Sequence, residues 1–337
     1  MNSAKISILM PVYNGEEFLK DSIDSVLKQT FQQWELICID DVSTDGSIQI
    51  LNHYAEHDKR IKVIHNTKNI GPLGARRHGF EASTGDYIMY LDADDMFTPN
   101  LLATLYIKAL ETNADSVAPN LEYTGGGKIY LPWNIAHGVN TDEELTGSEA
   151  FNETLPWRKI HGFNLWKRSV FNQSTYHPYL EGNSFNADEI LQRILLLNCN
   201  KIVFAEGASY LYRKNPNSIT HTLSGRSFCR LDANDKLIML AHDYKMDKNI
   251  TEKIYCFAFF CQLKGLMLDF YKRNSLNKED KKRAMALMRK AFIKYTRSSN
   301  LESFYGSSIK NRIKAAIHTR SFYAFKAICY LQTKLAK

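Results

Sequence analysis

Apolar and polar positions in the first hundred residues follow two alternating rhythms. Mainly apolar runs of five or six residues, the composition of buried strands, occupy 5–10, 34–39, 61–65 and 87–91. Between them lie polar loops and stretches whose apolar residues recur three and four apart, the spacing of an amphipathic helix. The first such stretch is 16–29, with Phe18, Leu19, Ile23, Val26 and Leu27 on one stripe. Further helices are predicted up to about Glu56 and over 73–82, the latter carrying Arg76 and Arg77. Pro11 and Gly15 punctuate the end of the first strand, and Asn14 is placed to cap the next helix. The order β-α-β-α-β-α-β predicts a parallel sheet covered by helices on both faces. In such sheets ligands bind beyond the carboxyl ends of the strands.

Polar loops converge on that rim. Pro11–Asn14 follow the first strand, the acidic loop 40–47 the second, and Asp92, Asp94 and Asp95 the fourth. Unpaired carboxylates are too costly to bury, so the last three belong at the edge of a cleft. Crowded there, they repel one another unless a cation sits among them. A divalent cation on a phosphate fits, because hard cations take one or two protein carboxylates plus phosphate oxygens. The competing reading is an Asp-rich turn and helix cap.

Thr98 and Pro99 are predicted to start another helix, as cap and first helical residue. A fifth strand is predicted over 115–123, a turn at 124–127 leading into 128–131, and short strands over 201–204 and 209–212. The stretch 157–171 is aromatic and basic. The loop 180–186 feeds a helix with Asp188 and Glu189 in its first turn, where the helix dipole favours negative charge and capping is a competing role. From about Arg226 long helical patterns dominate, at 226–243, 250–272, 279–297 and 307–335, rich in aromatics that read as core packing.

The 337 residues suit one large domain or two. The division expected is 1–222, split near 118 into a nucleotide-binding and an acceptor-side half, followed by a helical region 223–337. Six scattered cysteines without a CxxC pair argue for reduced thiols, not a zinc site or disulfide framework. The N-terminus lacks a secretory pattern, and no unbroken apolar run reaches the roughly 20 residues of a membrane span. A cytoplasmic protein is expected. The net charge of +7 is uneven: from Lys272 onward 17 Lys and Arg face 3 Asp and Glu, a balance of +14 that leaves −7 for the rest. Such a tail suits an anionic partner, a membrane surface or an anionic polymer, or else a solvated helical face or self-association. No nucleic-acid motif accompanies it, so no nucleic acid is expected.

The residues Pro11-Val12-Tyr13-Asn14, the run 39–47, Asn69-Ile70-Gly71 with Ala75-Arg76-Arg77, Gly85-Asp86-Tyr87-Ile88 and Leu91-Asp92-Ala93-Asp94-Asp95 occur in an order and spacing that resemble family 2 glycosyltransferases. With 188–193 and 212–221 the resemblance spans about two thirds of the chain. Val42 stands where that family usually has Gly and Arg77 where Asn is common, and Ala187-Asp188 replaces the usual Glu-Asp pair. The resemblance implies the GT-A fold, a Rossmann-like, mostly parallel sheet between helices, here with a C-terminal helical extension. It implies an inverting enzyme that takes a sugar from a nucleotide diphosphate donor, expected to be UDP-linked, to a glycan or lipid-linked acceptor in bacterial surface-polysaccharide synthesis. A degenerate donor-binding protein is the alternative.

Site residues follow from the resemblance. Pro11, Tyr13, Asn14 and Asp41 are expected at the nucleotide, and Arg76 near the diphosphate. Asp92 and Asp94 are expected at the ribose and phosphates, with Asp94 and Asp95 on Mn²⁺ or Mg²⁺. Asp188 is the expected base. Trp133, Trp157, His161, Trp166, Glu189, Arg213 and His221 are expected on the acceptor or diphosphate side.

Overall fold

The apolar run at the N-terminus forms β1, Ile6–Val12, in a computed structural model that describes residues 6–124, 140–155, 162–181, 187–214, 223–273, 276–298 and 319–335. Every β1 residue except Pro11 is buried, as expected of a strand covered on both faces. It lies between β2, Trp34–Asp40, and β4, Tyr87–Tyr90, parallel to both, and β3, Ile61–His65, continues the parallel run beyond β2. Beyond Pro11 the strand was expected to break, yet pairing with β2 continues to Val12. Alternation points the missing N–H of Pro11 to the β4 side, where the ladder has already ended at Leu9, so no bond is lost.

The remaining strands are β5 (Met96–Phe97), β6 (Ser116–Thr124), β7 (Glu144–Leu145), β8 (Leu165–Lys167) and β9 (Ile202–Arg213). The sheet runs β3-β2-β1-β4-β8-β6-β9-β5, with β7 added on β9. β8 is antiparallel to both its neighbours, so the sheet is mixed beyond β4. The two strands expected near 201 and 209 are one, β9. A register shift absorbs the interruption, with residues 205–208 opposite Pro119 and Gly207 at φ 74°.

Helices α1 (Leu19–Leu27), α2 (Ser47–His57) and α3 (Gly71–Ala82) cover the parallel half, and α4 (Leu101–Thr112) packs on β6 and β9. Leu19, Ile23 and Val26 of α1 join Ile6, Ile8 and Met10 in the core. On the other face α3 sits so close that a Cβ on Gly79 would lie 2.6 Å from Ile39 Cδ1. Helix α4 begins two residues later than Pro99, and Thr98 does not cap it. Thr98 Oγ1 instead accepts from Ser209 N at 2.9 Å, so pairing with β9 outweighs the cap. Then come α5 (Gly147–Glu153), α6 (Arg168–Ser174) and α7 (Ala187–Leu197).

The chain divides into two compact units, Met1–Asn183 with Leu191–Pro216, and Ser184–Ile190 with Asn217–Lys337. The second is helical: α8 (Arg230–Asp243), α9 (Lys248–Lys272), α10 (Lys278–Ser298) and α11 (Phe322–Leu335). Phe259, Phe292 and Phe325 form its aromatic centre, with ring centroids 5.3–5.8 Å apart. Contrary to the sequence expectation, α9 is long and apolar enough to cross a membrane, by length and composition only. Half of its most apolar stretch is buried inside the protein, as in a core helix.

Candidate active site

Three loops leave the carboxyl ends of the neighbouring strands β2, β1 and β4, and the first two are laced together. Asn14 N donates to Ser43 Oγ at 3.0 Å, Gly15 N to Ser47 Oγ at 2.9 Å and Glu16 N to Asp45 Oδ2 at 3.0 Å. In return Thr44 N donates to Asn14 Oδ1 at 2.8 Å and Gly46 N to Glu16 Oε2 at 2.8 Å. Asn14 therefore does not cap α1, whose cap position is Phe18; its side chain holds the second loop. The lacing imposes φ 51° on Asn14 and φ 68° on Val42. Asn tolerates that region, whereas a β-branched residue there is strained. Tyr13 stands out from the lacing, 54% exposed.

Asp41 is buried and collects a third loop. Its carboxylate accepts from Asn66 Nδ2 at 2.8 Å, Ile70 N at 2.9 Å and Gly71 N at 2.8 Å. Gly71, at φ 74°, turns the chain into α3 in a conformation that a side chain would strain. The carboxylate thus sits at the amino end of α3, where the helix dipole favours it. One turn on, Arg76 is buried, its guanidinium 4.8 Å from the Tyr90 ring centroid and 2.5 Å from Asp92 Oδ1. Arg76 and Asp92, expected on different parts of a nucleotide, pair with each other.

Asp95 is 1% exposed. Tyr210 Oη donates to its Oδ2 at 2.7 Å and Arg213 N to its Oδ1 at 2.8 Å. Burial and the nearby charges of Asp92 and Asp94 push its pKa up to about 8 against these two donors. The Arg213 side chain, expected on the acceptor or diphosphate side, donates to Asp94 O at 3.0 Å and Asp21 Oδ2 at 2.8 Å, with Phe18 beneath it at 4.9 Å. Asp95 is thus an internal fastener with one donor on each oxygen, whereas the adjacent Asp94 is half-buried. Among the described residues no group of three or more His, Cys, Asp or Glu is assembled for a metal. The negative charge concentrated here, which raises Asp95, nevertheless fits a divalent cation held by one carboxylate and a ligand's phosphates.

The profile described as glycosyl transferase family 2 matches residues 7–180, the stretch that builds this rim. The chain belongs to glycosyltransferase family 2. It is 31% identical over 235 residues to glycosyltransferase GlyG of Streptococcus pneumoniae, covering 68% of this chain and 77% of that protein. It is 30% identical over 211 residues to a poly(ribitol-phosphate) beta-glucosyltransferase of Bacillus spizizenii, covering 62% of this chain and 32% of that longer protein. Its fold is similar to that of residues 1–349 of S. aureus TarS in complex with UDP, with TM-score 0.67 at 16% identity over 99% of this chain and 92% of that one. The protein is therefore a glycosyltransferase with a GT-A fold and a helical C-terminal region.

Asp188 is exposed and Glu189 buried, both in the first turn of α7. Trp166 is 0% exposed in β8, paired with Ile88 and Ser116, so it is a core residue and its acceptor-side assignment is corrected. Trp133, Trp157, His161 and His221 lie outside the described residues. Tyr210, which sequence reasoning read only as a strand residue, is the unforeseen member: it also accepts from Asp92 N at 3.2 Å. Its place in an apolar alternation carried no signal of that role.

Proposed function

We propose that this enzyme is an inverting transferase that moves a sugar from a UDP-linked donor to a hydroxyl of a bacterial surface glycan or lipid-linked saccharide. The reading rests on one observation: Tyr13, Asp41, the Arg76–Asp92 pair and Asp94 follow the carboxyl ends of strands in one continuous parallel run, three of them direct neighbours. The exposed Tyr13 ring offers a stacking face for a pyrimidine. Three donors reach the Asp41 carboxylate, which has about four lone-pair sites, so one place remains for the imino N–H of uracil. Arg76 occupies one oxygen of Asp92, and the other is assigned to a ribose hydroxyl. Asp94 would hold Mn²⁺ or Mg²⁺, which supplies positive charge against the departing diphosphate. The UDP bound by the structurally similar TarS and the polyol-phosphate acceptor named for the Bacillus relative support donor and acceptor class.

Asp188 is assigned as the base. It takes the proton of the acceptor hydroxyl as that oxygen bonds to the anomeric carbon. The bond from that carbon to the diphosphate breaks on the opposite side, and UDP leaves with the electron pair. A single displacement inverts the anomeric configuration, and a positioned base of this kind contributes about 10²–10⁴-fold. Thermal unfolding of the full chain with UDP-, GDP- and CMP-sugars, each with and without Mn²⁺, tests the donor. A ligand of the folded state at a hundredfold its Kd adds about 2.7 kcal/mol. Stabilisation by UDP-sugars is expected; stabilisation by GDP- or CMP-sugars alone would refute the reading.

A further inference from the structure

Helices α10 and α11 divide two chemistries between them. The buried side of α11 presents Phe322, Phe325 and Cys329 to the aromatic centre of its unit. Its opposite side carries Tyr323, Tyr330, Leu331 and Leu335, exposed by 67%, 44%, 55% and 87%. At 100° per residue these four fall within about 140° of the helix circumference, a mainly apolar stripe that also contains Ala327 and the long side chain of Lys334. Helix α10 buries Ala284, Met288, Phe292 and Tyr295. Its exposed side carries Lys278, Lys282, Arg283, Arg289 and Lys290 with Glu279 as the one acidic residue. The two surfaces adjoin at the Arg289 guanidinium, 5.9 Å from the Tyr323 ring centroid, and within α11 itself Lys334 Nζ lies 5.7 Å from that of Tyr330.

We infer that this paired surface docks on an anionic membrane, with the α11 stripe at the level of the lipid headgroups and the α10 cations above acidic lipids. A stripe that includes two tyrosines suits the interface between water and hydrocarbon, where amphipathic rings settle. An apolar face bordered by Lys and Arg is the pattern of a helix lying in that interface. An exposed apolar stripe of this extent on its own would also suit a second copy of the chain. A two-fold contact, however, sets the whole patch against its copy and would desolvate the α10 cations with little acidic charge in the patch to meet them. The charge balance of +14 from Lys272 onward argues in the same direction.

Flotation of the full chain with phosphatidylcholine vesicles, and with an equal mixture of phosphatidylcholine and phosphatidylglycerol, tests this. The variants are Tyr330→Ser/Leu331→Ser and Arg283→Ala/Lys290→Ala, all four at exposed positions, with thermal unfolding as the check on folding. The wild type is expected to float with the mixed vesicles and not with the neutral ones. Each cation near an acidic surface is worth roughly fivefold in affinity, so the charge pair should weaken binding about 25-fold. The apolar pair should weaken it about tenfold or more. Sedimentation without vesicles covers the rival occupant. Equal flotation with both vesicle types, wild-type binding by both variants, or variants that dissociate an oligomer while floating unchanged would each overturn the inference. UDP-sugar stabilisation, measured alongside, fails separately if only the donor reading is wrong.

Discussion

Glu35 lies at the end of the sheet away from the rim, and replacing it with Gln should cost stability without touching donor binding. The carboxylate is 3% exposed on β2. It accepts from Ser7 Oγ of β1 at 2.7 Å, Lys62 Nζ of β3 at 2.9 Å, and Thr84 N and Oγ1 before β4 at 2.6 and 2.9 Å. Burial alone would raise its pKa. The Ser7, Lys62 and Thr84 donors outweigh burial and lower it from 4.5 to about 2. A carboxylate held down in the folded state adds stability that is complete above the unfolded value of 4.5 and is lost as pH falls toward 2. The span of about 2.5 units, at 1.36 kcal/mol each, amounts to roughly 3 kcal/mol. Urea unfolding of wild type and Glu35→Gln should therefore differ by roughly 3 kcal/mol at pH 7, and by less than half of that by about pH 3. Other carboxylates titrate in both proteins and cancel in the difference. A gap that does not change with pH, or one below about 0.5 kcal/mol at pH 7, would refute the reasoning.

Two further outcomes concern the rim and a third the assigned base. Val42→Gly should stabilise by about 0.5–1 kcal/mol in denaturant unfolding, since relief of a left-handed β-branched residue exceeds the entropy that glycine adds to the unfolded chain; a loss of that size would remove strain from the account. Tyr210→Phe leaves Oδ2 of the buried Asp95 without its donor, with Arg213 N still on Oδ1, and should cost about 1–3 kcal/mol in denaturant unfolding; unchanged stability would mean that the Tyr210 contact with Asp95 contributes nothing. Asp188→Asn should lower kcat by about 10²–10⁴ with donor KM unchanged, and turnover equal to wild type would exclude it as the base.

The parallel half of the fold was legible because its signals are local. Apolar runs, intervening helical stripes and polar loops located β1 to β4 within two residues, and topology alone brought the loops after β1, β2 and β4 to one rim. What was hidden is long-range pairing. Nothing near Asn14 indicates that its side chain will hold Thr44 and not the next helix. Nothing near Asp95 announces a grip from Tyr210 and Arg213, more than a hundred residues away. Thr98 read as a cap because Pro follows it, and β9 competed successfully for its hydroxyl. Trp166 read as a sugar-stacking face because aromatic and basic neighbours surround it in sequence, whereas the strand pairing of β8 buries it. Val42 was visible as a departure from the family's glycine, and its positive φ explains why glycine is the usual residue there.

Calorimetric titration of UDP into wild type and Asp94→Asn, with and without Mn²⁺, tests most directly whether this rim holds a diphosphate through a cation. The account predicts that Mn²⁺ tightens UDP binding by wild type about tenfold or more, a gain of at least about 1.4 kcal/mol, and leaves the variant near its metal-free affinity. An equal gain in both proteins, or no UDP binding by either, would contradict it.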